Sequence, residues 1–374
     1  MTPRTTGSQL SELRLIDPHL SDSASNQRVP ASGDVDLPVE TRSLDVEIAG
    51  AGRRWHLDEW VAETYGTSLL VVDRGVVVYE WYADALDRHT LFLGASMTKS
   101  VLAHLVGRAV TSGALDLDRD VVAYVPELAG SGYDGAVVRH LVTMTTGGDW
   151  DEDYRDPTSL ASRLIGTFIA AAGDSRALLR TVGRRHAPGE QYAYCTADSQ
   201  VLDWVRERAT GTTYADDLAA LWSDLGCMND AVIGMDATGV ALAGGGVAAT
   251  ARDWVRIGML AIDGRVDNSA LLSTDWVDAA ARPAYPYLAP GRLPSSITTH
   301  AGFGYHWWPT DADGRRVTAD GSRGQFTYVD RAAGVVVVKT SQWPYEDWIA
   351  DRQYRDLSYL GLPEIAQAAV RARS

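Results

Sequence analysis

Two strand pairs at opposite ends of the chain constrain its fold more than any other feature. The first is TSLLVVDRGVVVYEWYAD, two β-branched and aromatic runs around Asp73, Arg74 and Gly75. The second is SRGQFTYVDRAAGVVVVKTSQ, which turns at Arg331-Ala332-Ala333-Gly334. Runs of this kind joined by short turns form hairpins, so both ends supply antiparallel strands. Between them, from LDLDRDVVAYVPEL to about Asp230, the pattern is mostly helical. Strand-forming ends around a helical middle predict an α/β (α+β) protein. Its antiparallel sheet is flanked by helices and interrupted by an inserted all-α domain. The expected boundaries are 46–115 and 232–374 for the α/β domain and 116–231 for the helical domain. Residues 1–45, rich in Ser, Asp and Pro, are read as an extension that wraps the body or serves a partner subunit, with disorder as the alternative. Helices are expected over RRWHLDEWVAETYG, from about Ser96 to Thr111, after the Gly-rich GGGVAAT, and near YEDWIADRQYRDLSYL.

With 374 residues, 45% of them hydrophobic, the chain can bury a sizeable core. A formal net charge of -15 argues against nucleic acid or an anionic membrane as partner. No stretch approaches the ~20 apolar residues of a membrane helix. The N-terminus lacks the apolar segment of a secretory signal, so a cytoplasmic location is expected. Cys195 and Cys227 give neither a disulfide framework nor metal-ligand spacing, and His300 and His306 lack clustered partners. No cofactor and no metal are expected; the partner is a small molecule.

Of the 34 basic side chains only Lys99 and Lys339 are lysine. Lys99 follows Ser96 by three positions in LFLGASMTKSVLAHLVGRAV. On a helix such residues share a face, ~5–6 Å apart at Cβ. Serine needs a neighbour to accept its proton before it attacks a carbonyl. A buried lysine can be that base; arginine stays protonated and cannot. Ser96 also stands where the helix begins, where free N–H groups support a developing oxyanion. The bland alternative is an N-capping serine beside a solvated lysine.

Further along, PGEQYAYCTADSQ places Tyr194 in a Tyr-Cys-Thr triplet, and VTADGSRGQF stands directly before the second hairpin. Ser-x-x-Lys, then a Tyr-centred motif, then a Gly-bearing strand is an order that resembles serine β-lactamases and penicillin-binding proteins. Within that family the chain looks most like class C-type enzymes, family VIII esterases and nylon-oligomer (6-aminohexanoate-dimer) hydrolases. YVPELAGSGYDG, DEDYRDP, YCTAD and GGGVAATARD carry the likeness, over roughly residues 60–345.

The resemblance implies Ser96 as acylated nucleophile, Lys99 as its proton acceptor, and Tyr194 in the same proton network. It implies an oxyanion hole from the backbone N–H groups of Ser96 and Ser322. Tyr154, Thr196, Gly244 and Gly321 would contact substrate, with Gly244 widening the pocket by lacking a side chain. A homodimer is also expected from it. Lys339-Thr340-Ser341 mimics the Lys-Thr-Gly motif of β-lactamases but lies one strand too late. Ala319-Asp320-Gly321 occupies that slot, without the lysine that anchors a β-lactam carboxylate. Arg163, Arg176, Arg180, Arg184 and Arg185 either favour an anionic or neutral substrate or are solvated.

The expected activity is hydrolysis of small amides or esters through an acyl-enzyme. Linear ω-amino-acid oligomers and short carboxylic esters are the expected substrates. A weak β-lactamase or D-amino-acid peptidase, and a catalytically silent binding protein on the same fold, are the competing readings.

Overall fold

The computed structural model describes residues 26–50, 52–170, 172–267, 269–344 and 352–373. Its centre is an antiparallel sheet built from both ends of the chain. β4 (Gly66–Asp73) and β5 (Val76–Tyr82) form the first hairpin. β11 (Trp308–Pro309), β12 (Arg316–Gly321), β13 (Gln325–Asp330) and β14 (Val335–Ser341) supply the rest. The order is β11-β12-β13-β14-β4-β5, so β14, late in sequence, lies beside β4.

The run VVVV in β14 does not alternate with polar residues because both faces of the sheet are covered. Leu70, Val72, Val336 and Val338 join one core cluster, whereas Leu69, Val71, Val335 and Val337 join another. α9 (Ala251–Asp263) and α2 (Thr98–Thr111) pack on the first side. On the other side lie α1 (Leu57–Glu63) and α11 (Arg352–Arg371). The helix expected over RRWHLDEWVAETYG begins only at Leu57. Before it, β2 (Glu47–Gly50) and β3 (Arg53–His56) pair as a hairpin with Ile48 opposite Trp55, both buried. Of the last expected helix, residues 345–351 lie outside the described residues.

A second sheet holds β6 (Phe92–Leu93), β7 (Ala231–Gly234) and β8 (Val247–Ala249), with β1 (Asn26–Val29) at its edge, in the order β1-β7-β8-β6. Thus residues read as an extension contribute a strand. Residues 38–42 also run beside β5, with Glu40 and Arg42 donating to Val77 and Val78, which covers that sheet edge. Residues 1–25 lie outside the described residues. The intervening region carries α3 (Val121–Tyr124), α4 (Val138–Val142), α5 (Leu160–Ile169), α6 (Ser175–Leu179), α7 (Thr196–Thr210) and α8 (Tyr214–Asp224). α7 is its central element, packed against both α2 and α4. A small hairpin, β9 (Arg265–Val266) with β10 (Ser269–Ala270), and α10 (Thr274–Ala280) complete the described elements.

Lys339 lies in β14 and is 0% exposed. Its Nζ donates to the Thr64 carbonyl at 3.3 Å and to Ser341 Oγ, and sits 5.2 Å from the Trp60 ring centre. It is therefore on the α1 side of the sheet, as a structural residue. Burial pushes its ammonium down to about 7. The folded value lies below the unfolded value of 10.5, so the unfolded chain holds this proton more tightly. Stability falls as pH drops from about 10.5 to about 7 and is level below that. Lys339→Met should therefore raise the melting temperature on the order of 5 °C at pH 7. The gain should narrow towards pH 9.5, and calorimetric scans at the two pH values check both parts.

Candidate active site

The start of α2 is fixed by a sharp turn out of β6. Ala95 takes a left-handed backbone (φ 45°), and Ala95–Met97 form a 3-10 turn that runs straight into the α-helix. That strained step sets Ser96 at the edge of a cavity of about 670 Å³. One turn further in, Lys99 is buried at 3% exposure.

Lys99 Nζ reaches three oxygens: Ser96 Oγ at 3.0 Å, Thr196 Oγ1 at 3.1 Å and the Gly244 carbonyl at 2.7 Å. Burial lowers its pKa to about 8, against the opposing pull of the Glu152 carboxylate. In the neutral amine only two N–H bonds remain, with one lone pair. The Gly244 carbonyl can only accept, and Thr196 Oγ1 gives its own proton to Glu152, so it too accepts from Lys99. The lone pair is left for Ser96. The geometry of neutral Lys99 thus makes Ser96 the proton donor.

Tyr194 closes the other side. It lines the cavity beside Ser96, and burial together with the Glu152 charge raises its pKa. The ring stacks on Trp308 at 5.8 Å and lies 5.1 Å from Lys99 Nζ. A phenol held in this way keeps its proton and can give it to a leaving group.

Glu152 was not singled out in the sequence. Its carboxylate accepts from Thr196 N–H at 3.1 Å, Thr196 Oγ1, Trp150 Nε1 and the Tyr154 hydroxyl. It therefore caps the N-terminus of α7, where negative charge is favoured, and fixes three cavity residues together. Its only signal is an acid two residues before Tyr154 in DEDY, within a loop that reads as polar surface. Tyr154 itself lines the cavity, held by Glu152.

His306, buried behind the site, donates Nδ1–H to the Val142 carbonyl and accepts at Nε2 from Ser199 Oγ, each at 2.9 Å. The carbonyl can only accept, which fixes the tautomer. Burial lowers its pKa to about 3, so the ring stays neutral.

Ser322 lines the cavity at the end of β12. Two glycines need correction. A Cβ on Gly321 would stand 2.2 Å from the Gly94 carbonyl and 3.0 Å from Met97 N. Gly321 is not a lining residue; its bare backbone lets β12 approach the Ser96 turn. Gly244 does line the cavity, but a Cβ there would meet Ser199 and Thr196 at 3.2 Å and Lys99 Nζ at 3.6 Å. Its missing side chain makes room for Lys99 and does not widen the pocket. Of the five flagged arginines, only Arg185 lines the cavity, ion-paired with Asp149 and Asp151. Arg155, Arg323 and Arg355, which were not flagged, line it too.

A family model described as Beta-lactamase matches residues 57–360. The chain belongs to that family. It is 33% identical over 302 residues to the 6-aminohexanoate-dimer hydrolase of Paenarthrobacter ureafaciens, covering 78% of this chain and 76% of that one. It is 31% identical over 174 residues to esterase EstB of Burkholderia gladioli, covering 42% and 44%. Among solved structures, a Bacillus anthracis chain provisionally assigned as a 6-aminohexanoate-dimer hydrolase superposes with a TM-score of 0.78 at 21% identity. That alignment covers 99% of this chain and 100% of the other. A class C beta-lactamase superposes with a TM-score of 0.59 at 16% identity, covering 82% and 93%. At these identities the two superpositions establish the shared fold. This chain is a β-lactamase/transpeptidase-type α/β protein, and its named relatives include a 6-aminohexanoate-dimer hydrolase and an esterase.

With only two lysines in the chain, selective 13C labelling at lysine Cε should give two resolvable titrations, near pH 8 for Lys99 and near pH 7 for Lys339. The Glu152 charge favours the ammonium form of Lys99. Glu152→Gln should move the Lys99 midpoint to lower pH and leave the Lys339 midpoint in place.

Proposed function

We propose that the protein is a serine hydrolase that cleaves small amides or esters through an acyl-enzyme at Ser96. The observation that supports this most directly is the contact set of Lys99, which in its neutral form leaves a lone pair for the Ser96 hydroxyl. Ser96 Oγ attacks the carbonyl carbon as its proton passes to Lys99, and the tetrahedral oxyanion lies between the N–H groups of Ser96 and Ser322. Tyr194 protonates the leaving nitrogen or oxygen and recovers a proton from Lys99. Water then enters and attacks the acyl carbonyl as its proton passes to the same network. The acyl–Oγ bond breaks, Ser96 Oγ takes that proton back, and the acid leaves. Tyr154 stands beside the leaving group, held by Glu152, and Thr196 orients Lys99.

Linear ω-amino-acid oligomers such as 6-aminohexanoate dimer, together with short carboxylic esters, are the proposed substrates. Similarity to the Paenarthrobacter enzyme and to EstB supports this choice. The cavity wall formed by Leu93, Val232, Leu242 and Ala248 is apolar, which suits aliphatic chains. In the slot where β-lactamases carry Lys-Thr-Gly, Ala319 takes the place of the lysine and Asp320 follows it, so the slot itself offers no cation to anchor a β-lactam carboxylate.

A panel of 6-aminohexanoate dimer, p-nitrophenyl butyrate and nitrocefin tests the reading. Turnover of the first two should exceed that of nitrocefin; comparable nitrocefin rates would favour a β-lactamase instead. Ser96→Ala should lose at least about 10³-fold in kcat, and an unchanged rate would remove Ser96 as nucleophile. Lys99→Arg should lose about 10²–10⁴-fold. Because the base is the neutral amine, kcat/KM should rise with pH through about 8 and then level off.

A further inference from the structure

One face of the sheet β1-β7-β8-β6 forms a wall of the cavity. Residues directly opposed across antiparallel strands point to the same face. Leu93 opposes Ala248, Ala248 opposes Val232, and Val232 opposes Arg28, which makes one row across all four strands. The row begins three residues before Ser96. Leu93, Ala248 and Val232 form an apolar cluster of their own, apart from the two main cores. In a neighbouring row Gly234 opposes Asn26, and the Gly234 N–H bonds the Gly246 carbonyl at 3.0 Å. Both glycines line the cavity and leave its floor without side chains there. Strands lie ~4.8 Å apart, so three steps carry the wall ~14 Å from β6 to β1.

At that far edge the chemistry changes. Asn26 lines the cavity, with its Oδ1 4.0 Å from where a Gly234 Cβ would stand. Arg28, the next same-face residue of β1, pairs with Asp230 at 3.0 Å. The wall is therefore apolar beside the serine and hydrogen-bonding at its end. Asn26 engages a neighbour within the protein, but an amide has two N–H groups and two acceptor lone pairs, which leaves capacity for a ligand. Asn26 and Arg28 also precede residues 57–360, so the part of the chain matched by the family model does not supply this edge.

We propose that β1 forms a distal substrate subsite, in which Asn26 hydrogen-bonds the polar end group of an extended aliphatic acyl chain whose carbonyl stands at Ser96. The proposal rests on Ser96 as nucleophile and deepens that reading: among acyl groups long enough to reach β1, a methylene chain with a hydrogen-bonding terminus is preferred over one that ends in a methyl group. The shape of the wall sets the length, and Asn26 reads the end.

The test uses p-nitrophenyl esters of adipic, suberic and sebacic acid monoamides, each beside the methyl-terminated ester of the same chain length. In the wild type the ratio of kcat/KM, amide-ended over methyl-ended, should rise with length to about tenfold, the net worth of one neutral hydrogen bond. In Asn26→Leu and Asn26→Ala the ratio should fall to about one at every length. A ratio that ignores length, or that survives both substitutions, overturns the proposal. Calorimetry with octanediamide on the Ser96→Ala protein reads the subsite without turnover. Its affinity should drop about tenfold when Asn26→Leu is added, and an unchanged affinity also overturns the proposal. Ester hydrolysis that persists in Ser96→Ala would refute the nucleophile assignment, while the diamide measurement would still decide the subsite.

Discussion

The contacts of Lys99 Nζ tie the site to the fold. One atom joins the first turn of α2, the first turn of α7 and the glycine bend before β8. Thr196 stands 97 residues from Lys99 and Gly244 stands 145 residues from it, so distant parts of the chain meet at this nitrogen. Burying it costs free energy, and the protein meets that cost in two ways. It lowers the pKa, so that the charge is given up near pH 8 and not above 10, and it supplies oxygens that satisfy either protonation state. The same contacts orient the lone pair. Stability and chemistry make the same demand at this position.

The surrounding glycines follow from that demand. A side chain at Gly244 would press on Ser199, Thr196 and Lys99, and one at Gly321 would collide with the Gly94 carbonyl. Each glycine allows one wall of the site to close on another. Glu152 works from the opposite direction. A carboxylate at the start of α7 draws in Thr196, Trp150 and Tyr154 and holds the proton of Thr196 Oγ1 away from Lys99. That small fact makes Ser96 the only donor left for the neutral amine.

Much of this was legible in the sequence, for reasons that can be traced. The hairpins at Arg74-Gly75 and Ala333-Gly334 stood out because turn residues interrupt β-branched runs, and local chemistry of that kind survives folding. Ser96 and Lys99 stood out because helical spacing is a local property and lysine is scarce in this chain. Contacts between distant segments were less legible. Nothing in NQRV marks β1 as a strand, since its apolar partners lie in β7, about two hundred residues away. Glu152 was hidden for a related reason, because two of its donors, the N–H and Oγ1 of Thr196, come from α7, 44 residues further along the chain. The direction of Gly244 and Gly321 depends on what packs behind them, which residue type alone does not reveal.

The charges around the cavity bear on which carbonyl compounds suit it. Arg185 faces Asp149 and Asp151, Arg155 faces Asp153, and Asp320 receives the Tyr359 hydroxyl at 3.0 Å with Arg355 Nε at 3.5 Å. Cations that already have carboxylate partners offer a ligand carboxylate less than a dedicated anchor would, because binding must compete with a pair that is already formed. A neutral ester or amide displaces none of these pairs. For the reaction proposed above it needs apolar surface for its chain, and the wall from Leu93 to Val232 provides that surface. The wall itself carries no charged side chain from Leu93 to Val232, so it suits the methylene run of an acyl chain whatever group ends it.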